Sequence, residues 1–488
     1  MHRYITHAFV AAAAGVALAM VAVTGASASG AARRALEARA SSAGTSHPAA
    51  SSGARLWVKR YDGGNSTDDA RSVAVSPDGK AVFVTGSSIG TTSFQDYATV
   101  GYNAATGAQL WASRYNGPDN GDDEASSVAV SPDGKTVFVT GYSFGTTAGE
   151  VDYATVAYNA ATGAQLWVKR YISPALQGFA TSVAVSPDGA AVFVTGYSGS
   201  QTTGGYDYAT VAYNTATGAQ LWVKRYVGPA GDDFAHSVTV SGSTVFVTGS
   251  SIGTNNGYDY ATVAYNAATG AQLWAKRYNG AANGSRGANS VAASPDGKTV
   301  FVTGSSYAGS TTDYDYATVA YNATTGAQLW VKRYTGPGSG DDQAYSVAPS
   351  PDGTAVFVTG YSSGTTAGEV DYATVGYNAA TGAQLWVKRY AGLSKGGIGT
   401  RAYSVAVSPS GTMVYVTGES GSDAVYATVA YSAATGAQQW VRTYTGNGPS
   451  GSAAQAVAVS PATGTVFVTG FSSGSGSGND YATIAYQG

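Results

Sequence analysis

The sequence predicts an all-β repeat protein, and three observations carry the prediction. The eight Trp residues stand at 57, 111, 167, 222, 274, 330, 386 and 440, spaced 52 to 56 residues apart. Each period holds four short runs of small and apolar residues separated by Gly-containing turns, with no helical period between them. The first and last periods are incomplete in complementary ways. Self-similarity on this scale marks a solenoid, a propeller or an array. Four antiparallel strands per period with tight turns make one propeller blade.

The elements follow in order. Residues 1–28 read as a secretory signal peptide: Arg3 supplies a basic start, Ala8 to Val23 an apolar run, and Ala26-Ser27-Ala28 a small-residue cleavage site. The apolar run is short for a membrane span. Residues 29–54 are Ala, Ser, Gly and Arg without periodicity, a flexible linker that also holds His47. Residues 55–488 are the propeller. Its second period shows the four strands, labelled A to D. Strand A is Ser127-Val-Ala-Val-Ser131, and the turn Pro132-Asp133-Gly134 leads to strand B, Thr136 to Gly141. Strand C is Tyr153 to Tyr158; after the turn Asn159-Ala-Ala-Thr-Gly163 comes strand D, Gln165 to Tyr171.

The chain enters on a D strand, Arg55 to Tyr61, and leaves on a C strand, Asp480 to Tyr486. The entering strand therefore completes the last blade. The expected fold is an eight-bladed β-propeller closed by its N-terminal strand, with no half-finished edge. An open solenoid needs polar caps at both ends, and the end repeats here are ordinary.

Composition bounds the function. Gly is 66 of 488 residues, charged residues are 11%, and there is no Cys. That removes disulfides, thiol nucleophiles and cysteine zinc sites. A formal net charge of −3 is no footprint for nucleic acid or an anionic membrane. No later segment reaches transmembrane length. The expected protein is exported, extracellular or, behind an outer membrane, periplasmic, and monomeric.

Two resemblances become specific at this point. Ala157-Tyr-Asn-Ala-Ala-Thr162-Gly163-Ala-Gln-Leu-Trp167 resembles the tryptophan-docking motif of quinoprotein propellers, A-x-D-x-x-T-G-x-x-x-W, with Asn for Asp, and it recurs at every C–D turn. The whole unit, Trp111, Gly121-Asp122-Asp123, Ser127-Val-Ala-Val, Val139-Thr140-Gly141 and Asp152-Tyr153, resembles the bacterial extracellular beta-propeller repeat family. These motifs imply the fold and say little about function. Quinoproteins use a bound quinone, calcium and often a disulfide of adjacent cysteines. The match here covers the turn and the docking Trp, and the absence of Cys weighs against pyrroloquinoline quinone. The WD dipeptide and the D-x-D-x-D-G calcium loop do not occur.

The A–B and C–D turns are nearly identical in all repeats, whereas the D–A and B–C loops vary. Variable loops on a rigid frame are where function resides. The D–A loops carry Asp68-Asp69, Asp122-Asp123, Asp232-Asp233 and Asp341-Asp342; other blades place Phe179, Arg286, Arg401 or Gln455 there. Clustered carboxylates at the channel mouth suit Ca²⁺. The alternative is that each Asp caps backbone N–H groups in its own loop. His236 is the single His of the propeller, beside Asp232-Asp233. Candidate ligand-binding residues are therefore Asp68, Asp69, Asp122, Asp123, Asp232, Asp233, His236, Arg286, Asp341, Asp342 and Arg401. The expected role is binding or scaffolding of an extracellular protein or glycan. The rival is an enzyme, hydrolase, lyase or quinoprotein-like oxidoreductase, with a carboxylate or metal site at the channel mouth. The Asp before each Tyr-Ala-Thr is expected to pair with the strand D Arg of its own blade, a contact of little weight if exposed.

Overall fold

The computed structural model describes residues 52–488 apart from 65–66, 91–93, 148, 176, 202–203, 255–256, 281–284, 308–312, 367, 393–398, 422–423, 449–450 and 475–477. The signal peptide and nearly all of the linker lie outside the described residues. Thirty-two strands form the eight expected four-stranded antiparallel blades. A single pairing of Tyr258 with Ser285 joins blades 4 and 5 into one ladder. Blade 2 comprises Asp123–Val130, Thr136–Phe144, Val151–Asn159 and Gln165–Tyr171. The A strands touch one another all the way round, including the first against the last. They form the inner wall of a closed ring.

The turns explain why the strands begin and end where they do. Ser131 Oγ donates to Asp133 Oδ1 at 2.6 Å, and that carboxylate accepts the Lys135 amide at 3.1 Å. Gly134 closes the turn at φ 71°, a conformation that side-chain-bearing residues rarely adopt. In the C–D turn, Asn159 Oδ1 accepts the amides of Ala161 and Thr162. Asn therefore does the work of the Asp in the docking motif.

Each blade is bolted to the next by its Trp. Trp111 of blade 1 lies on the C–D turn of blade 2, donating from Nε1 to Ala160 O at 2.8 Å. A Cβ on Gly163 would fall 2.6 Å from its ring, so the turn must carry Gly. The Trp residues are 6–8% exposed. A second bolt is Tyr153 Oη, which donates to Ala209 O of the next blade; the equivalent bond runs round the whole ring and ends with Tyr481 on Ala98.

Closure uses both termini. Strand Arg55–Tyr61 pairs with strand Asn479–Tyr486. The last blade has no continuous C–D turn, and the chain ends rebuild it: the Gly53 amide donates to Gln487 O at 2.7 Å, and the Gln487 amide to Ala54 O at 2.8 Å. Trp440 packs on Gly53 as the other Trp rings pack on their turn glycines, and Arg442 Nε donates to Gly53 O at 2.7 Å. Ser52 to Ala54 thus belong to the propeller rather than to the linker expected over 29–54.

Candidate functional site

The site begins with a glycine. Gly141 ends the Val-Thr-Gly run of strand B, and a Cβ there would overlap the carbonyl of Glu124 on strand A. Its seven counterparts stand in the same relation to their own A strands. Opposite each glycine the register of strand A slips by one residue. Such a bulge leaves one residue unpaired and re-aims its side chain. The bulged residues are, in blade order, Arg71, Ser126, Thr181, His236, Asn289, Tyr345, Tyr403 and Gln455. Seven residue types occupy eight positions, inside repeats that are otherwise nearly identical. All eight are partly exposed.

These side chains reach to the next blade. Thr181 Oγ1 donates to Ala235 O at 3.0 Å, Asn289 Nδ2 to Ala344 O at 2.7 Å, and Arg71 pairs with Glu124 at 2.8 Å. His236 Nδ1 lies 2.8 Å from Ala288 O, and burial pushes the imidazole pKa down, so the ring is neutral at pH 7.

Just outside this ring stands one variable cross-strand pair per blade. Examples are Asp69 with Ser87, Glu124 with Tyr142, Phe179 with Tyr197, Gln343 with Tyr361 and Arg401 with Glu419. Across blades 2 to 4 these positions fuse into an aromatic tract. Tyr142 meets Phe179 at 5.3 Å between ring centres, Phe179 stacks on Tyr197 at 5.1 Å, and Tyr197 meets Phe234 at 4.9 Å edge-on. Tyr206 and Tyr258 extend it. Every ring of the tract is partly exposed. On the far side, Arg401 lies over Tyr361 at 5.3 Å and pairs with Glu419, which also accepts from Tyr403 Oη at 2.7 Å.

The acidic pairs occupy two structural positions. Asp68, Asp123, Asp233 and Asp342 open their A strands and are at most 1% exposed. Each accepts an amide of its own loop: Gly63 at 2.7 Å, Gly117, Gly228 at 2.5 Å and Gly336 at 2.5 Å. Burial pushes the pKa of Asp68, Asp123 and Asp233 up to about 6. Asp122, Asp232 and Asp341 instead accept the amides of Gln95, Tyr206 and Tyr314 at the strand C start of the preceding blade. Asp69 lies one position along from the other pairs' outer members and faces Asn479. The four pairs stand in blades 1, 2, 4 and 6. The Arg286 side chain lies outside the described residues.

The seven strand C Asp residues pair with strand D Arg residues of their own blades, from Arg60–Asp480 at 2.6 Å to Arg333–Asp315 at 3.1 Å. Their carboxylates are 0–12% exposed, so the contacts are well screened from water. The same Arg binds strand B, as Arg170 does at Ser143 O, and in most blades the Tyr ending the preceding blade's strand D.

What sequence reading overlooked is the bulge. The signal was the residue directly before each Ser-Val-Ala run, invisible until the eight repeats are aligned with one another.

Fold and site together define a quinoprotein-like propeller whose repeat is uniform everywhere except on its inner wall and loop face. The chain belongs to the family described as outer membrane protein assembly factor BamB, whose model matches residues 152–318 and 262–483. No curated protein matches the sequence. Among solved structures, BamB from Moraxella catarrhalis is 16% identical with a TM-score of 0.50, over 89% of this chain and 99% of that one. Sqt1 from Chaetomium thermophilum, bound to the N-terminus of the ribosomal protein L10, is 12% identical with a TM-score of 0.57, over 88% and 98%. The quinohemoprotein alcohol dehydrogenase of Comamonas testosteroni is 14% identical with a TM-score of 0.51, over 88% and 76%. At these identities the likeness is one of fold.

The inner wall does not suit pyrroloquinoline quinone. That group carries three carboxylates and needs cations to receive them. Arg71 is already held by Glu124 and Arg401 by Glu419, and Asp69 adds negative charge to the same wall.

Proposed function

We infer that this protein is an exported binding module that holds a protein partner on its inner wall and variable-loop face. One observation carries the reading. Side-chain variety is confined to the bulge ring and the adjoining cross-strand pairs, and there it builds a contiguous, partly exposed aromatic tract. Rigid aromatic rings supply contact area at small entropic cost and dominate interface energetics. The bulges fix those side chains to a strand frame rather than to free loops. A signal peptide over 1–28 and the family's name support export. A relative in fold that is bound to a protein N-terminus supports a protein partner.

Selection from a displayed random-peptide library tests the reading. Peptides enriched on the wild type are expected to bind the Phe179→Ser, Phe234→Ser double variant at least about 30-fold more weakly, the loss of a hot spot of roughly 2 kcal/mol. A substitution on the uniform face, Asp188→Ser, is expected to leave binding unchanged. Equal binding by both variants overturns the assignment to this face. A glycan array read in parallel would overturn the protein partner if sugars alone were retained.

A further inference from the structure

One group of carboxylates lies apart from the binding face, at the seam where the ring closes. Oxygens of Asp62, Asp68 and Asp480 lie within 4.8 Å of one another. They come from the three segments that meet there. Asp62 follows the closing strand Arg55–Tyr61, Asp68 opens strand A of blade 1, and Asp480 belongs to strand C of blade 8.

The third carboxylate is particular to this seam. At the position of Asp62 the other seven repeats carry Asn116, Ile172, Val227, Asn279, Thr335, Ala391 and Thr445. An acid there is disfavoured by its two acidic neighbours unless something compensates it.

A second observation points to a ligand. Asp68 is fully buried, and its Oδ1 receives no hydrogen bond although Oδ2 accepts the Gly63 amide. A buried carboxylate oxygen without a donor is costly. Burial raises the Asp68 pKa, and the charges of Asp62 and Asp480 raise it further. Arg60 lies 2.6 Å from Asp480 and neutralises one of the three charges. Two negative charges remain, presented by oxygen atoms only.

We propose that Asp62, Asp68 and Asp480 bind a calcium ion that fastens the two ends of the chain into the closed ring. Oxygen-only, multiply anionic ligation from a flexible loop suits a hard cation that accepts six to eight ligands; magnesium demands a tighter octahedron. The ion joins strand D of blade 8, strand C of the same blade and strand A of blade 1. It therefore binds only the closed form, and by linkage it stabilises that form.

Calorimetric titration of the full chain with CaCl2 at pH 7.5 is the test. The expected result is one site with a Kd of about 0.1–1 mM, the range of extracellular calcium modules. Asp62→Asn is expected to weaken it at least tenfold. Asp233→Asn, which changes an equally buried strand A carboxylate with no such cluster, is expected to leave it unchanged. Terbium luminescence sensitised by Tyr61 gives an independent readout and should fall with the same variant. No site by either probe overturns the proposal, as does an unchanged affinity in Asp62→Asn. Equal affinity for magnesium overturns the assignment to calcium. Peptide binding by the inner wall does not enter any of these readouts.

Discussion

Asp123 and Asp233 show what burial does to a residue that sequence reads as surface acid. Each opens a strand with its carboxylate enclosed, and burial carries its pKa from 3.8 to about 6. The folded state therefore holds a proton that the unfolded state has released between these values. The sign follows: this contribution is fully present below about pH 4 and is lost as pH rises through about 6. Asp233→Asn is expected to be more stable than the wild type at pH 7.5 by about 2–3 kcal/mol, with the difference vanishing at pH 4. Denaturant unfolding at the two pH values reads it; a variant less stable at pH 7.5 would sink the account. Turn carboxylates such as Asp133 act oppositely, because the hydrogen bond from Ser131 lowers their pKa and their contribution is lost as pH falls. That Asp133 caps a turn was legible from Ser-Pro-Asp-Gly alone. That Asp123 is buried was not, because burial depends on the neighbouring loop and on strand B.

At the scale of the element, the strand is simple to read and the bulge is not. Alternation of Val with small residues, Gly-bearing turns and the Trp period are local signals, and all eight blades follow from them. The bulge arises because Gly141 lets the Glu124 carbonyl approach where any Cβ would block it. Its effect falls on Ser126, a residue with no local mark. Blade 7 supplies a natural variation on another repeated device. Val425 and Thr443 stand where the other blades place the paired Asp and Arg. Tyr390 Oη and Ser420 Oγ, whose counterparts bind that Arg, have no hydrogen-bond partner. Val425→Asp alone is expected to destabilise the protein by about 2–3 kcal/mol, a buried charge without its cation. Adding Thr443→Arg is expected to recover most of the loss. A double-mutant cycle measures the coupling, and a value near zero would refute the idea that the pair is a portable unit.

For the whole molecule, closure is the decisive property. The N-terminal strand brings Trp57 onto Ala104, Arg60 onto Asp480 and Gly53 beneath Trp440. Deleting residues 29–61 leaves Trp440 uncovered and strand Asn479–Tyr486 as a bare edge. The expected outcome is a fall in melting temperature of more than about 10 °C, or failure to fold, read by circular dichroism. An unchanged melting temperature would contradict a ring fastened by its ends. By itself the sequence determined the blade count, the strand order and the mode of closure, because these rest on periodicity and on complementary ends, which are properties of the chain as a string. Only the tertiary structure decided which acids are enclosed, which residues the bulges turn inward, and that aromatic rings from three separate blades form one tract. Those facts depend on atoms from different repeats meeting across a seam, and no local pattern records a neighbour some 55 residues away.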